Sequence, residues 1–298
     1  MNDEISIAAN EKWKIIADNW ETLGPTAKPS VEEIELYRAV TMIELADKQN
    51  VRALIMGSTP ELRDMCSEYF LSKMEKVYCV DATEDMYRAM SQLVKTPNPK
   101  EEFIHGNWLD LYKLIDDSSI DIVYGDHIIS NVGGKEKDLF DNIKLALKDN
   151  GCFVSKIQYT DFSDNEIKRT SAYEKLQKYA RKLKEGQMDL KTAFTHFGLS
   201  LLFTSIYLND RQEISFKFWG DELKELDENV EKSDNQSEKQ ILDRFNQVWL
   251  NWKDVTWAQY EKSKMHKIIE DNFYIKDEMQ APGHEFSRQT SIFRLKKG

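Results

Sequence analysis

The sequence predicts an α/β fold: a doubly wound, mainly parallel sheet with helices on both faces. Between residues 51 and 158, short apolar runs alternate with amphipathic helical segments, and the connections are only a few residues long. Such alternation is typical of βαβ units and a parallel sheet. After residue 159 the alternation stops, and two strand-like runs close the chain. We therefore expect N-terminal cap helices, a central sheet and a helical insertion before the last two strands.

The predicted elements of the sheet follow one another closely. Ser30 and Glu33 have the spacing of a capping box, which predicts a helix from about Val31 to Lys48. Strands are predicted at Ala53–Met56, Lys76–Val80, Phe103–His105, Ile120–Tyr124 and Cys152–Gln158. Apolar residues at helical spacing predict the helices between them, from Ser58 to about Met74, from Thr83 to Val94 and from Lys135 to Leu147.

The second half of the chain has a different pattern. Its predicted segments are a basic amphipathic helix at 165–186, an apolar packed segment at Phe194–Leu208, a solvated helix end with a loop at Asp221–Gln240, a helix carrying Phe245, Trp249 and Trp252, and strands at Phe273–Met279 and Ser291–Leu295. The expected domains are an N-terminal helical cap (1–50), a ligand-binding core (51–160), a helical insertion that caps the substrate (161–255), and a closing helix with the last two strands (256–298).

Composition excludes several classes of protein. The 298 residues suffice for one large domain or two small ones, and 52 acidic against 41 basic residues give a formal net charge of -11. An acidic chain has no overall attraction to nucleic acid. The acidic start is not a secretory signal, and the longest nearly apolar run is roughly half of a bilayer span. Three scattered cysteines fit no disulfide framework. We expect a soluble cytoplasmic protein without a membrane partner, and the net charge disfavours a nucleic-acid partner.

Two residues that follow the first two predicted strands suggest a nucleotide-like ligand. Sheets of this kind bind ligands outside the carboxyl ends of their strands. Gly57 lets a ligand approach the backbone closely, and the helix after it begins with free amides that favour an anion. Asp81, which ends the next strand, is placed to accept hydrogen bonds from a ribose diol.

The ends of the third and fourth strands extend this candidate site. Gly106, Asn107 and Trp108 offer amide groups and an aromatic face that suit an adenine ring. Trp108 is equally well interpreted as a core aromatic residue. Asp126 and His127 would then face the reacting end of the ligand.

Residues Val51 to Tyr159 resemble the class I S-adenosylmethionine-dependent methyltransferases, which have a Rossmann-like fold. The motifs that carry the resemblance are Ala53–Gly57, Val80-Asp81, Gly106–Trp108, Ile122–Asp126 and Asn150–Phe153. The first loop, GSTPELRD at residues 57–64, resembles that of one bacterial branch of the family. The resemblance implies an enzyme that uses S-adenosylmethionine and releases S-adenosylhomocysteine.

The resemblance also implies roles for individual residues. Residues 57–59 would hold the methionine part of the cofactor, and Asp81 would bind its ribose hydroxyls. Asn107 and Trp108 would flank the adenine, and Asp126 would line the methyl-transfer site. The full set of implied cofactor residues is Gly57, Ser58, Thr59, Asp81, Ala82, Met86, Gly106, Asn107, Trp108 and Asp126.

The chemistry at the reacting end has more than one interpretation. Asp126 and His127 are the candidate catalytic residues, and a neutral His127 imidazole could take a proton from an attacking hydroxyl or amine. Many methyl transfers need only proximity, so a lining role for His127 is equally open. A dinucleotide is disfavoured because residues 57–62 lack the G-x-G-x-x-G turn. The histidines and cysteines share no metal-ligand spacing, and no metal site is predicted.

The favoured function is transfer of a methyl group to an oxygen or nitrogen of a small-molecule acceptor. One alternative is a methyltransferase that acts on a protein, peptide or RNA through the basic helix, in which case neutralising Lys175, Lys178, Arg181 and Lys182 should reduce activity. Another is a non-catalytic cofactor-binding scaffold, which the single glycine of the first loop would favour. A homodimer is an open alternative, because the aromatic insertion could bury itself against a second copy.

Overall fold

The computed structural model describes residues 15–24, 27–160, 170–208, 213–283 and 285–297. The chain forms two compact units. The first contains Pro29–Tyr159 and the chain from Glu261 onward, together with residues 15–17. The second contains Asp18–Lys28 and Thr160–Tyr260. The first unit therefore takes its elements from both sides of a long insertion.

Seven strands form the sheet of the first unit. They are β1 Val51–Met56, β2 Met74–Asp81, β3 Glu101–His105, β4 Ile120–Asp126, β5 Leu147–Gln158, β6 Tyr274–Met279 and β7 Thr290–Lys296. Their order is β3-β2-β1-β4-β5-β7-β6. The first five strands pair in parallel, and β7 is antiparallel to both of its neighbours. The doubly wound, mainly parallel sheet expected from the sequence is confirmed.

Helices precede, connect and follow these strands. In chain order they are α1 Val31–Glu44, α2 Pro60–Phe70, α3 Glu84–Ser91, α4 Glu136–Ala146, α5 Ala172–Lys184, α6 Leu190–Thr204, α7 Asp221–Lys232, α8 Gln236–Val248 and α9 Lys262–Glu270. The insertion contributes α5 to α8. Over the part of the chain that the structure describes, no helix has both the length and the apolar character to cross a membrane.

Helix α1 begins as its sequence predicts. The Ser30 hydroxyl accepts a hydrogen bond from the Glu33 N–H at 3.1 Å, and the Glu33 carboxylate accepts one from the Ser30 N–H at 2.8 Å. This capping box satisfies two of the free amides at the helix start. Tyr37 and Val40 of α1 are buried in one apolar core with Ala53 of β1. Because its buried face lies in the sheet's core, α1 is positioned by packing as well as by its cap.

Several boundaries differ from the sequence prediction, and two of them illustrate the effect of strand pairing. Helix α2 ends at Phe70, earlier than the predicted Met74, because Met74 already pairs with Val51 at the start of β2. Strand β4 continues past the predicted Tyr124, because its register with β5 extends to Asp126 opposite Lys156. Asp126 is therefore the last residue of the strand rather than part of the loop after it.

The second unit is helical apart from a two-stranded ribbon, in which Glu213–Ile214 pairs antiparallel with Trp257–Ala258. The segment Asp221–Gln240 is more helical than the predicted helix end and loop, because α7 and the start of α8 occupy it; the chain breaks between them at residues 233–235, which the sequence predicts as the most linker-like point. The predicted aromatic helix is also too long: α8 ends at Val248, before Trp249.

The basic helix of the second unit is α5, which begins later than the predicted residue 165. Ser171 caps it, and the Ser171 side chain accepts a hydrogen bond from the Glu174 N–H; residues 161–169 lie outside the described residues. Lys175, one of the four cations named for a macromolecular acceptor, is only 4% exposed, and its Nζ donates to the Thr170 carbonyl at 2.8 Å. Burial lowers the pKa of Lys175 to about 8. Lys175 therefore does not contribute to an exposed basic surface.

Candidate active site at the carboxyl edge of the sheet

Strand register brings the predicted site residues to one edge of the sheet. Met56, the last residue of β1, pairs with Val80 on one side and with Gly125 on the other. The next residues along these three strands, Gly57, Asp81 and Asp126, therefore stand in a row. Neighbouring strands are about 4.8 Å apart, so the row spans roughly 10 Å. This places two carboxylates on either side of a glycine at the carboxyl ends of parallel strands.

Gly57 has a backbone conformation that other residues rarely adopt. Its φ is +99°, and its N–H donates to the Val80 carbonyl at 2.8 Å. A Cβ at this position would meet the Trp108 ring at 3.6 Å, an ordinary contact, so the requirement for glycine is conformational rather than steric. Thr59 is the N-cap residue of α2, which starts at Pro60. The N-terminus of α2 therefore lies at the same edge, where it favours an anionic group.

The Asp81 carboxylate is held by two neutral donors. The Ser58 hydroxyl donates to Oδ2 at 2.6 Å, and the Thr83 N–H donates to Oδ1 at 3.0 Å. Burial raises the pKa of Asp81, although these two hydrogen bonds act to lower it. A carboxylate has about four acceptor sites in all, so Asp81 can accept further hydrogen bonds. The arrangement fits a vicinal diol, and sequence reasoning did not find that Ser58 orients Asp81.

The segment after β3 is fixed by contacts within the chain. A Cβ on Gly106 would approach Leu114 Cδ1 to 2.3 Å, so any larger residue there would displace the end of the Leu114 side chain. The Asn107 side-chain oxygen accepts from the Leu109 N–H at 2.9 Å and caps the short 3-10 helix Trp108–Lys113. The Trp108 indole N–H donates to the Val80 carbonyl at 2.7 Å. Trp108 is therefore an anchored aromatic residue beside Gly57.

Two other predicted cofactor residues lie after β2. Ala82 is exposed, and its carbonyl is 3.0 Å from the Nε2 atom of His105 on β3. Met86 is buried near the start of α3. Ala82 is thus available at the edge of the sheet, whereas Met86 presents little surface to a ligand in this structure.

Asp126 belongs to a buried group of charges that sequence reasoning missed. Lys156 Nζ lies 3.1 Å from Asp126 Oδ1 and 3.2 Å from Glu33 Oε2, and the lysine side chain is fully buried. Burial lowers the pKa of Lys156, but the two carboxylates outweigh burial, so the net shift is upward. One available signal was Lys156 itself, a lysine in the apolar run of β5.

Tyr37 of α1 links the ends of β4 and β5 beside this group. Its hydroxyl donates to the Gly125 carbonyl and accepts from the Lys156 N–H, both at 2.6 Å. Burial, with a further contribution from Asp126, raises the pKa of Tyr37 well above its usual value. The phenol therefore stays neutral and serves as a bridge between two strands and a helix.

His127 has a left-handed backbone conformation with φ +56°. Its N–H donates to the Lys156 carbonyl at 3.2 Å, and its own carbonyl accepts from Ser130 Oγ at 2.9 Å and Asn131 Nδ2 at 3.0 Å. Such a conformation costs a non-glycine residue about 1–3 kcal/mol and persists only where surrounding contacts enforce it. These contacts fix the backbone from which the imidazole extends, next to Asp126.

Comparison with known proteins identifies the fold. No protein-family model and no curated protein sequence matches the chain. Among solved structures, the 1,6-didemethyltoxoflavin-N1-methyltransferase of Burkholderia thailandensis, solved with bound S-adenosylhomocysteine, matches with a TM-score of 0.52 and 9% identity, covering 99% of this chain and 89% of that one. The chain has the Rossmann-like methyltransferase fold.

Two further solved structures are similar to the chain in fold. The DszA carbon methyltransferase matches with a TM-score of 0.50 and 13% identity over 92% of this chain and 56% of that one. A Rhodobacter sphaeroides protein, named provisionally as a Zn-dependent alcohol dehydrogenase, matches with a TM-score of 0.56 and 11% identity over 98% and 99%. Within the described residues of the present chain, no group of three or more His, Cys, Asp or Glu could hold a metal ion.

Proposed function

We propose that the protein is an S-adenosylmethionine-dependent methyltransferase that transfers the methyl group to an oxygen or nitrogen of a small-molecule acceptor. The observation that carries this proposal is the row of Asp81, Gly57 and Asp126 at the carboxyl edge of the sheet. Open sheets of this topology bind ligands at this edge, next to the point where the strand order reverses. In the order β3-β2-β1-β4-β5, that point lies between β1 and β4.

The residues at the edge fit the parts of S-adenosylmethionine. Asp81 has acceptor capacity for a ribose diol, and Ser58 holds its carboxylate in place. Gly57 carries no side chain that would block the backbone, and the N-terminus of α2 favours a carboxylate by about 0.3–1 kcal/mol. Asn107 and Trp108 would adjoin the adenine, with the indole held by its bond to Val80.

The proposed reaction is a direct displacement in which the bound cofactor supplies a methyl group on a good leaving group. The chain's contribution is then mainly alignment of acceptor and cofactor and exclusion of water. Asp126 is held at the reacting end by Lys156. In this proposal His127, whose backbone is fixed beside Asp126, either takes a proton from the attacking group or lines the acceptor pocket.

A small acceptor remains the favoured substrate class because the chain is acidic overall. The alternative of a macromolecular acceptor relied on the basic face of α5. Burial of Lys175 removes one of the four cations proposed for that face. We therefore give the small-molecule proposal precedence, and the role of residues 161–255 in selecting the acceptor stays a prediction.

Isothermal titration calorimetry tests the proposed cofactor directly. The purified protein is titrated with S-adenosylmethionine, with S-adenosylhomocysteine and with NAD as a control. We expect the first two to bind and NAD not to bind. Absence of binding to either sulfur compound, by protein shown to be folded by circular dichroism, would contradict the proposal and favour a non-catalytic scaffold.

A further inference from the structure

Glu33, Asp126 and Lys156 form a buried group that we call the acid–lysine cluster. Its members come from three elements, α1, β4 and β5, and they meet through two ion pairs of 3.1 and 3.2 Å. The Asp126 side chain is only 5% exposed and the lysine is not exposed at all. A buried charge is costly unless it is compensated, so the charge balance of this cluster matters for whatever binds beside it.

The single positive charge of Lys156 is divided between two carboxylates. Lys156 is the cation that pairs with Asp126 in the described chain, at 3.1 Å from Oδ1, and the same ammonium also pairs with Glu33 at 3.2 Å. The Tyr37 hydroxyl donates its one proton to the Gly125 carbonyl. Asp126 therefore keeps part of its negative charge in a site shielded from water, where electrostatic attraction to a cation is strong.

The position of Asp126 indicates which positively charged group of a bound ligand would lie near its carboxylate. Asp126 stands beside Gly57 in the row of strand ends, and Asp81 stands on the other side of Gly57. In S-adenosylmethionine the sulfonium is attached to the 5′ carbon of the ribose that we assign to Asp81. S-Adenosylhomocysteine has the same skeleton with a neutral thioether in place of the sulfonium. The two compounds thus differ in the charge that Asp126 would sense.

We propose that the acid–lysine cluster makes the site discriminate between the charged cofactor and its neutral product, with Asp126 providing the attraction. This inference rests on the proposed function. Lys156 orients Asp126 and moderates its charge, and Glu33 shares the lysine so that the neutralisation stays incomplete. Methyl transfer removes the positive charge from the sulfur, so the product loses this attraction and is released more readily.

The test is the ratio of the dissociation constants of the two compounds, measured calorimetrically on the same preparation. Because both constants come from one sample, the ratio does not depend on the fraction of folded protein. We expect the wild type to prefer S-adenosylmethionine by roughly tenfold. Asp126→Asn should bring the ratio close to one, mainly by weakening S-adenosylmethionine.

Two further variants sharpen the test. Glu33→Gln keeps a capping-box side chain and leaves Lys156 to Asp126 alone, so the preference should fall. Asp121→Asn is the matched control: Asp121 lies at the other end of β4, where its Oδ2 pairs with Lys148 at 2.7 Å. This control removes the same charge from the same strand and should keep the wild-type ratio.

The possible results separate this inference from the proposed function. If the wild type binds neither compound, the methyltransferase proposal fails and this inference fails with it. If the wild type binds both compounds equally, or if Asp126→Asn and Glu33→Gln keep the full preference, the cluster does not discriminate charge and the inference is overturned, while the cofactor assignment stands. Loss of preference in Asp121→Asn as well would also overturn it, because the effect would then be one of overall charge.

Discussion

The two carboxylates of the candidate site are held in opposite ways. Asp81 is oriented by neutral donors, the Ser58 hydroxyl and the Thr83 N–H, whereas Asp126 is held by the buried ammonium of Lys156. Neutral donors orient a carboxylate but leave its negative charge in place. A cation both orients the carboxylate and offsets part of that charge. The difference suits the parts of the ligand proposed for each end, hydroxyl groups at Asp81 and a charged centre at Asp126.

The largest expected effect is a loss of stability when Asp126 loses its cationic partner, Lys156. Lys156→Met leaves two buried carboxylates without their shared cation and should lower the free energy of unfolding by about 3–5 kcal/mol, measured by urea denaturation at pH 7. Lys148→Met is the control, because Lys148 pairs with Asp121 but is more than one-third exposed, and we expect a loss of about 0–1 kcal/mol. Equal losses of unfolding free energy in the two variants would mean that the buried ion pairs of Lys156 stabilise the fold no more than an exposed pair does.

The stabilisation that Lys156 provides should depend on pH. Burial lowers the pKa of Lys156, but Asp126 and Glu33 raise it by more, so the folded-state pKa lies above the unfolded one. The stabilisation is then complete below the unfolded lysine pKa of about 10.4 and is lost as the pH rises through the folded value. The difference in unfolding free energy between wild type and Lys156→Met should therefore shrink as the pH rises through the folded-state pKa of Lys156.

At the Asp81 end we expect a loss of affinity without a loss of stability. Asp81→Asn should weaken S-adenosylhomocysteine binding by about 1.5–3 kcal/mol, because hydrogen bonds to a charged acceptor are lost. Burial raises the pKa of Asp81, so its ionised form opposes folding at neutral pH, and the neutral amide should be at least as stable as wild type. Calorimetry and urea denaturation measure the two effects, and a clear drop in stability would contradict this view of Asp81.

The backbone of His127 gives a third, smaller test. Replacement by Ala keeps a Cβ in the left-handed conformation, whereas replacement by Gly does not. The Gly variant should therefore unfold with a free energy about 1 kcal/mol higher than the Ala variant, because the imidazole is absent from both. If the Ala variant is the more stable of the two, the backbone at residue 127 is not constrained as described.

The smallest effect is expected at Ser58. Ser58→Ala removes the 2.6 Å hydrogen bond to Asp81 and should weaken S-adenosylhomocysteine binding by about 1 kcal/mol at pH 7. Loss of this bond also raises the pKa of Asp81. As the pH is lowered, the Ser58→Ala variant should therefore lose binding at a higher pH than the wild type does. His105, which acts to lower the pKa of Asp81, is present in both proteins. Ser58→Thr retains a hydroxyl and should show the wild-type dependence of binding on pH. If the wild type, Ser58→Ala and Ser58→Thr all show the same pH dependence, Ser58 is excluded from the site.

Much of the fold follows from short-range patterns in the sequence. The alternation of apolar runs and amphipathic segments indicates the parallel sheet, and the spacing of Ser30 and Glu33 indicates the start of α1. Gly57 and Asp81 were found because each directly follows an apolar run. The errors are concentrated in the insertion, where α7 and α8 are charged on their exposed faces and keep only a few buried residues, such as Leu226 and Leu242.

By itself, the sequence determined the strands, most helix starts and the residues that stand at the carboxyl ends of the strands. These features depend on neighbours within a few positions, through side-chain periodicity, caps and the conformational freedom of glycine. Only the tertiary structure decided that Glu33 and Lys156, 123 positions apart, share an ion pair and that Asp126 completes the cluster. That contact depends on which strands pair, in which register, and on which helix packs over them, and no local pattern contains this information.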